Sequence, residues 1–174
     1  MTTCEVCELV KDKKKLLFED DKLAITLAPK PAVAGHVWLV PKEHAAILEQ
    51  VPDFVTGKLF DKANKVSIAV FEALGAEGTN IMVSNGVAAG QSTNHCIVSV
   101  LPRRENDGLN LAWQPKQLSE EEMSTIELKL KEETKNIGAF EKEKPKPKEL
   151  PKPEEVKEAE EEVNYLLKQL KRMP

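Results

Sequence analysis

The sequence predicts an α+β fold: a body over residues 1–115, followed by a charged tail. Three patterns point to it. Short apolar or β-branched runs recur between turn residues, as strands do. One long segment carries apolar residues three and four apart, as an amphipathic helix does. Beyond residue 140, proline, lysine and glutamate displace the apolar residues needed for a core.

The elements follow in order. Leu16-Leu17-Phe18 and Leu23-Ala24-Ile25-Thr26-Leu27 flank Glu19-Asp20-Asp21, which predicts a β-hairpin. Pro29, Pro31 and Gly35 punctuate a loop, and Val37-Trp38-Leu39-Val40 before Pro41 reads as a buried strand. Pro52-Asp53 opens a helix with Leu59, Ala63, Val66, Val70 and Leu74 on one face, ended by Gly75 and Gly78. Ile81-Met82-Val83 is the next strand, Asn85-Gly86 a turn, and Cys96 to Leu101 a β-branched run suited to a central strand. Ser119 with Glu122 three residues on forms a capping box for a helix within 116–140. Met123, Ile126, Leu130 and Ile137 give that helix an apolar line, expected to pack on the body. Residues 141–153 carry Pro145, Pro147, Pro151 and Pro153 among lysines and glutamates, an extended linker. In 154–174, Val156, Ala159, Val163, Leu166, Leu170 and Met173 fall in an a/d pattern. A helix that short is unstable alone, so a protein partner or a second tail is expected to cover residues 154–173.

Composition narrows the function. Net charge is −4, which gives no global field for nucleic acid. No apolar run approaches the roughly 20 residues of a membrane span. The N-terminal residues lack the apolar segment of a secretory leader. Three cysteines, an odd number, argue against a disulfide framework and fit a reducing cytoplasm.

There, a Cys-x-x-Cys pair more often serves metal or redox chemistry. Cys4 and Cys7 have that spacing, and the chain's three histidines are His36, His44 and His95. Two thiolates with His44 and His95 would complete a tetrahedral zinc shell. On spacing alone a metal-free cysteine pair with two hydrogen-bonded histidines fits equally well.

Residues Gln91-Ser92-Thr93-Asn94-His95-Cys96-Ile97-Val98-Ser99-Val100-Leu101-Pro102-Arg103 carry the most information. With Gly90 ahead of them, they resemble the signature of the histidine-triad (HIT) family, His-φ-His-φ-His-φ-φ-Pro-Arg behind Gly-Gln-Ser, where φ is apolar. His95 fills the first histidine position, but Ile97 and Ser99 occupy the second and third. Gly35-His36-Val37-Trp38-Leu39-Val40-Pro41-Lys42-Glu43-His44 and the segment from Pro102 to Trp113 also resemble family motifs. The resemblance therefore spans about residues 4–113.

The resemblance implies an antiparallel five-stranded sheet with two helices, which the linker and amphipathic helix would extend. It implies that Cys4, Cys7, His44 and His95 hold a structural zinc, and that the protein is a homodimer. It places His36, Asn85, Gly90, Gln91 and Ser92 at a nucleotide or phosphate, with Gly90 allowing close backbone approach. In active members the second histidine attacks phosphorus, a step that Ile97 cannot perform and for which Ser99 lacks a base. Ala28 stands where most members carry an aspartate for the ribose hydroxyls. Strand alternation sets Cys96 on the face opposite His95, Ile97 and Ser99, as a small core residue. The expected protein is thus a degenerate HIT member that has lost the histidine chemistry and binds a nucleotide or phosphate. Two alternatives are an active HIT hydrolase or transferase acting on dinucleoside polyphosphates or nucleoside phosphoramidates, and a dimeric scaffold working through its C-terminal helix.

Overall fold

The computed structural model describes residues 4–136. The expected linker, 141–153, and tail helix, 154–174, lie outside them. The elements are α1 (Glu5–Lys11), β1 (Leu16–Glu19), β2 (Leu23–Leu27), β3 (Val37–Pro41), α2 (Asp53–Leu74), β4 (Gly78–Val83), β5 (Val98–Arg103) and α3 (Glu120–Glu133). The five strands form one antiparallel sheet in the order β1-β2-β3-β5-β4. The α+β class and the five-stranded sheet agree with the sequence. The helix count differs: α1, short and at the Cys-x-x-Cys, is a third helix.

Local chemistry sets the turns. Asp20 Oδ1 accepts from the Lys22 and Leu23 backbone N–H groups at 2.7 and 2.9 Å, closing the β1–β2 hairpin. Gly35 has φ +83°, and a Cβ there would collide with Leu74 and crowd Pro102. Both conformation and space demand glycine at the entry to β3. Gly75, at φ +60°, stops α2 in the left-handed conformation. Gly78 does not end that helix; it begins β4.

The sheet buries both faces. On one, Leu23, Ile25, Val37, Leu39, Cys96, Val98 and Val100 meet Val55, Leu59, Ala63 and Val70 of α2. On the other, a smaller cluster of Val6, Ala24 and Val40, flanked by Trp38 and Ile97, lies under α1. The ladder of β5 starts at Val98, two residues later than the sequence suggests. Cys96 N–H instead donates to the Ala45 carbonyl (2.7 Å), so this approach to β5 is tied to the loop after β3. Pro102 is tolerated because β5 pairs with β3 only as far as Val100.

The capping box at α3 forms as its sequence predicts: Ser119 Oγ accepts from Glu122 N–H, and Glu122 accepts from Ser119 N–H. Packing of this helix on the body does not follow. Met123, Ile126 and Leu130 are exposed, and no described α3 residue is buried. An apolar line this sparse among glutamates and lysines covers too little area to hold a helix on a sheet.

A charged bracket fixes the chain after β5. Arg103 donates to Asn80 Oδ1 (2.7 Å), to Asp107 Oδ1 (3.0 Å) and to the Leu109 carbonyl. Asp107 also accepts from the Leu109 N–H at 2.9 Å. The guanidinium, with these backbone donors, holds the Asp107 carboxyl well below the usual carboxylate range. A depressed folded pKa contributes stability above the unfolded value, lost as pH falls through the folded one. Asp107→Ala should therefore lower the melting temperature by a few degrees at pH 7. In thermal melts that gap should persist to about pH 4, the unfolded aspartate value, and close only in stronger acid. An unchanged melting temperature at pH 7 would refute the bracket's role.

Candidate metal centre and adjoining cavity

Three segments distant in sequence meet at one end of the sheet and bring four side chains together. Cys4 is the N-cap of α1 and Cys7 lies in its first turn, so the two sulfurs come from one short helix rather than a bare turn. His44 sits on the loop after β3, and His95 on the stretch leading into β5. Their ligand atoms all lie within 4.8 Å of one another. Cys4 Sγ is 3.6 Å from His95 Nδ1, Cys7 Sγ is 3.4 Å from His44 Nδ1 and 3.5 Å from His95 Nδ1, and the two Nδ1 atoms are 3.3 Å apart.

These distances fit a zinc ion. Zn–S bonds of about 2.3 Å and Zn–N bonds of about 2.0–2.1 Å in a regular tetrahedron give S···N edges of about 3.5 Å and N···N edges of about 3.3–3.4 Å. The donor chemistry fits as well. His95 Nε2 lies 3.0 Å from the Pro41 carbonyl, which only accepts, so Nε2 carries the proton and Nδ1 presents its lone pair to the cluster. His95 is 1% exposed, and burial keeps its ring neutral, the metal-binding form. The Cys7 thiol is pushed up, first by burial and then by the adjoining Cys4. Two sulfurs this close oppose each other's ionisation, and a dication held there would supply the missing counter-charge.

Beside the cluster, a cavity of about 260 Å³ opens on the same face of the sheet. It gathers most of the expected site: His36, Gly90, Gln91, Ser92, Ile97 and Ser99 all line it. Alternation holds through this stretch, with Cys96 in the core on the other side. Burial raises the Cys96 thiol to about 11, which keeps it protonated as a small hydrophobe.

Three expected residues behave differently from a bare phosphate cradle. Asn85 lies outside the cavity lining; its Oδ1 accepts from Leu48 N–H (3.1 Å) and its Nδ2 donates to Glu49 (3.0 Å). Gln91 lines the cavity, but its amide is committed to the loop. Oε1 accepts from Gly86 N–H (2.7 Å), and Nε2 donates to the Ala46 and Thr93 carbonyls (2.6 and 2.9 Å). Gly90 is required for its φ of +82°, whereas a Cβ there would meet open space.

His36 is buried between two donors: Ala32 N–H points to Nδ1 (3.2 Å) and Trp38 indole N–H to Nε2 (3.1 Å). A neutral imidazole accepts from one at a time and a protonated ring from neither. Burial likewise pushes its pKa down, so His36 stays neutral. Sequence reasoning missed Trp38, Lys30, Met82, Ser84, Leu101, Leu109 and Leu111, which also line the cavity. Alternation from His36 could have found Trp38. No short pattern reveals Leu109 and Leu111, which stand on the stretch held by the Arg103 bracket.

With fold and site in view, comparison with known proteins assigns a family. The HIT domain model matches residues 10–106, and the chain belongs to the HIT family. It is 33% identical over 108 residues to adenylylsulfatase HINT3 of Arabidopsis thaliana, a match covering 61% of this chain and 55% of that protein. The chain thus spans about half of that relative's length. A Bacillus subtilis structure described as a HIT-family member superposes with a TM-score of 0.68 at 22% identity, covering 75% of this chain and 96% of that one. A zinc-bound histidine-triad protein of Mycobacterium smegmatis matches with a TM-score of 0.57 at 28% identity, over 66% and 84% of the two chains.

The four-ligand geometry predicts one divalent ion per chain, measurable by elemental analysis. Strong chelation should lower the melting temperature, and Cys7→Ser should remove the metal by replacing a thiolate with a neutral hydroxyl. A metal-free preparation with undiminished stability would rule the centre out.

Proposed function

We propose that this chain is a non-catalytic HIT-family protein: a structural zinc held by Cys4, Cys7, His44 and His95, beside a cavity that binds a nucleotide-derived ligand without turning it over. The observation that carries the proposal is Ile97 on the cavity face, next to Ser99 and in line with His95. An alkyl side chain has no lone pair to attack phosphorus. Ser99 has a hydroxyl, but the single lone pair of neutral His36 faces the Ala32 or the Trp38 N–H, and His95 is directed at the cysteines and Pro41, so neither ring is free to act as its base.

Zinc is supported by the fit of the donor set and by the zinc-bound Mycobacterium smegmatis relative. Four protein ligands leave no open coordination position, so the ion's contribution is to hold the fold. A nucleotide-derived ligand is supported by His36, Gly90, Gln91 and Ser92 around the cavity, and by the adenylylsulfatase relative. In this chain Gln91 shapes the loop while Ser92 offers a hydroxyl at the cavity.

A homodimer is supported by the outer face of α2, where Phe60, Ile68, Phe71 and Leu74 are all exposed, and by the unpaired outer edge of β4. A cytoplasmic setting is supported by three free cysteines. Among the described residues, no helix is long and apolar enough to cross a membrane.

The catalytic claim has a direct test. Zinc-replete protein is incubated with adenosine phosphoramidate, a dinucleoside polyphosphate and adenylyl sulfate, with intact mass recorded for a nucleotidyl adduct. No adduct and no turnover are expected. Ile97→His combined with Ser99→His rebuilds the three-histidine face and should give detectable turnover. Strong turnover by the unmodified chain would overturn the non-catalytic reading and restore the hydrolase or transferase alternative.

A further inference from the structure

The cavity of a phosphate-transferring site must offer partners to an anion, because a charge taken out of water without them is strongly disfavoured. This cavity offers few. Its walls are Trp38, Met82, Ile97, Leu101, Leu109 and Leu111. Ile97, just before β5, and Ser99, within it, occupy the positions where the family pattern has its second and third histidines. The remaining polar lining is dominated by hydroxyls, those of Ser84, Ser92, Thr93 and Ser99, which bond an uncharged ligand as readily as an anion. His36 contributes no positive charge, since both its nitrogens face N–H donors. The one lysine in the lining, Lys30, is exposed, so its charge is hydrated and screened. Gln91's amide is spent on the Gly86 N–H and on the Ala46 and Thr93 carbonyls.

We infer that the cavity is a site for an uncharged heteroaromatic ligand of nucleoside size, and that it discriminates against the phosphorylated counterpart. Apolar walls with a few convergent hydroxyls are the usual make-up of such a site. Trp38 and Met82 supply flat and polarisable surface for a ring. Ile97 is the residue that sets the discrimination, because it puts a sec-butyl group where an anion would need a donor. This inference rests on the non-catalytic reading above and sharpens its ligand from nucleotide to nucleoside.

The test titrates the full-length, zinc-replete chain with adenosine and with AMP by calorimetry, at low and high salt. Adenosine is expected to bind about tenfold tighter than AMP or better, the effect of at least one well-placed unfavourable interaction. Its affinity should be indifferent to salt. Ile97→Thr keeps the β-branch and puts a hydroxyl on it at the loss of one methyl group, and Ile97→His puts a ring nitrogen there; each should narrow the adenosine preference. Having two variants guards against one that fails to fold. AMP binding as tight as adenosine would overturn the inference, as would binding of neither compound or an unchanged preference in both folded variants. Zinc content and the absence of turnover are read separately, so these failures are distinguishable from failure of the non-catalytic reading.

Discussion

Side-chain alternation along residues 95–101 is the constraint on which the rest of the molecule depends. His95, Ile97, Ser99 and Leu101 face the cavity side, while Cys96, Val98 and Val100, each at most 1% exposed, face α2. A slip of one residue would exchange the two sets. It would withdraw His95 from the cysteines and drive valines into the cavity. The register is held on three sides: by Ala45 through the Cys96 N–H, by β3, and by all six residues of β4. The register of this one stretch therefore sets the core, the candidate metal centre and the cavity together.

α1 is the element that would depend most on a metal at the four-ligand cluster. Seven residues make a helix that does not persist alone in water, and Val6 is its one buried residue. The satellite cluster beneath it is small. Four ligands spread from residue 4 to residue 95 close long loops, and the loop-closure cost grows only slowly with their length. A strong four-point bond is thus well suited to hold α1 against the sheet. Thr93 and Ser92 line both the cavity and the hollow beside Cys4 and Cys7, so the clamp and the cavity share a wall.

Much of this was legible in the sequence, for reasons that differ by residue. The β1–β2 hairpin, α2 and the α3 cap declared themselves because their signals are local: Asp20 at a turn, apolar spacing with Gly75 at its end, and Ser119 with Glu122. Spacing raised the Cys4, Cys7, His44 and His95 set but left a metal-free pair fitting equally well, and the family resemblance singled it out; the sheet, not spacing, brings these four residues together. The α1 helix was hidden because seven residues give too short a period to read. The committed amide ends of Gln91 and Asn85 were hidden for another reason. A polar side chain's partner is a tertiary fact, and the same residue type serves a loop carbonyl as well as a ligand.

The contrast between His95 and the residues at positions 97 and 99 has a physical logic. His95 is 1% exposed, bonded to Pro41 and directed at three other ligands, so any substitution there strands buried polar groups and unties α1. Positions 97 and 99 bear no such duty. Ile97 is half-buried and packs with the cluster under α1. A β-branched apolar residue suits both the approach to a central strand and that contact. A histidine at this point would serve chemistry and not the fold, whereas isoleucine adds apolar contact beneath α1, the helix that a metal bound at the four-ligand cluster would clamp. Under the non-catalytic reading proposed above, stability and catalysis would pull in opposite directions at residue 97, and an isoleucine there suits stability.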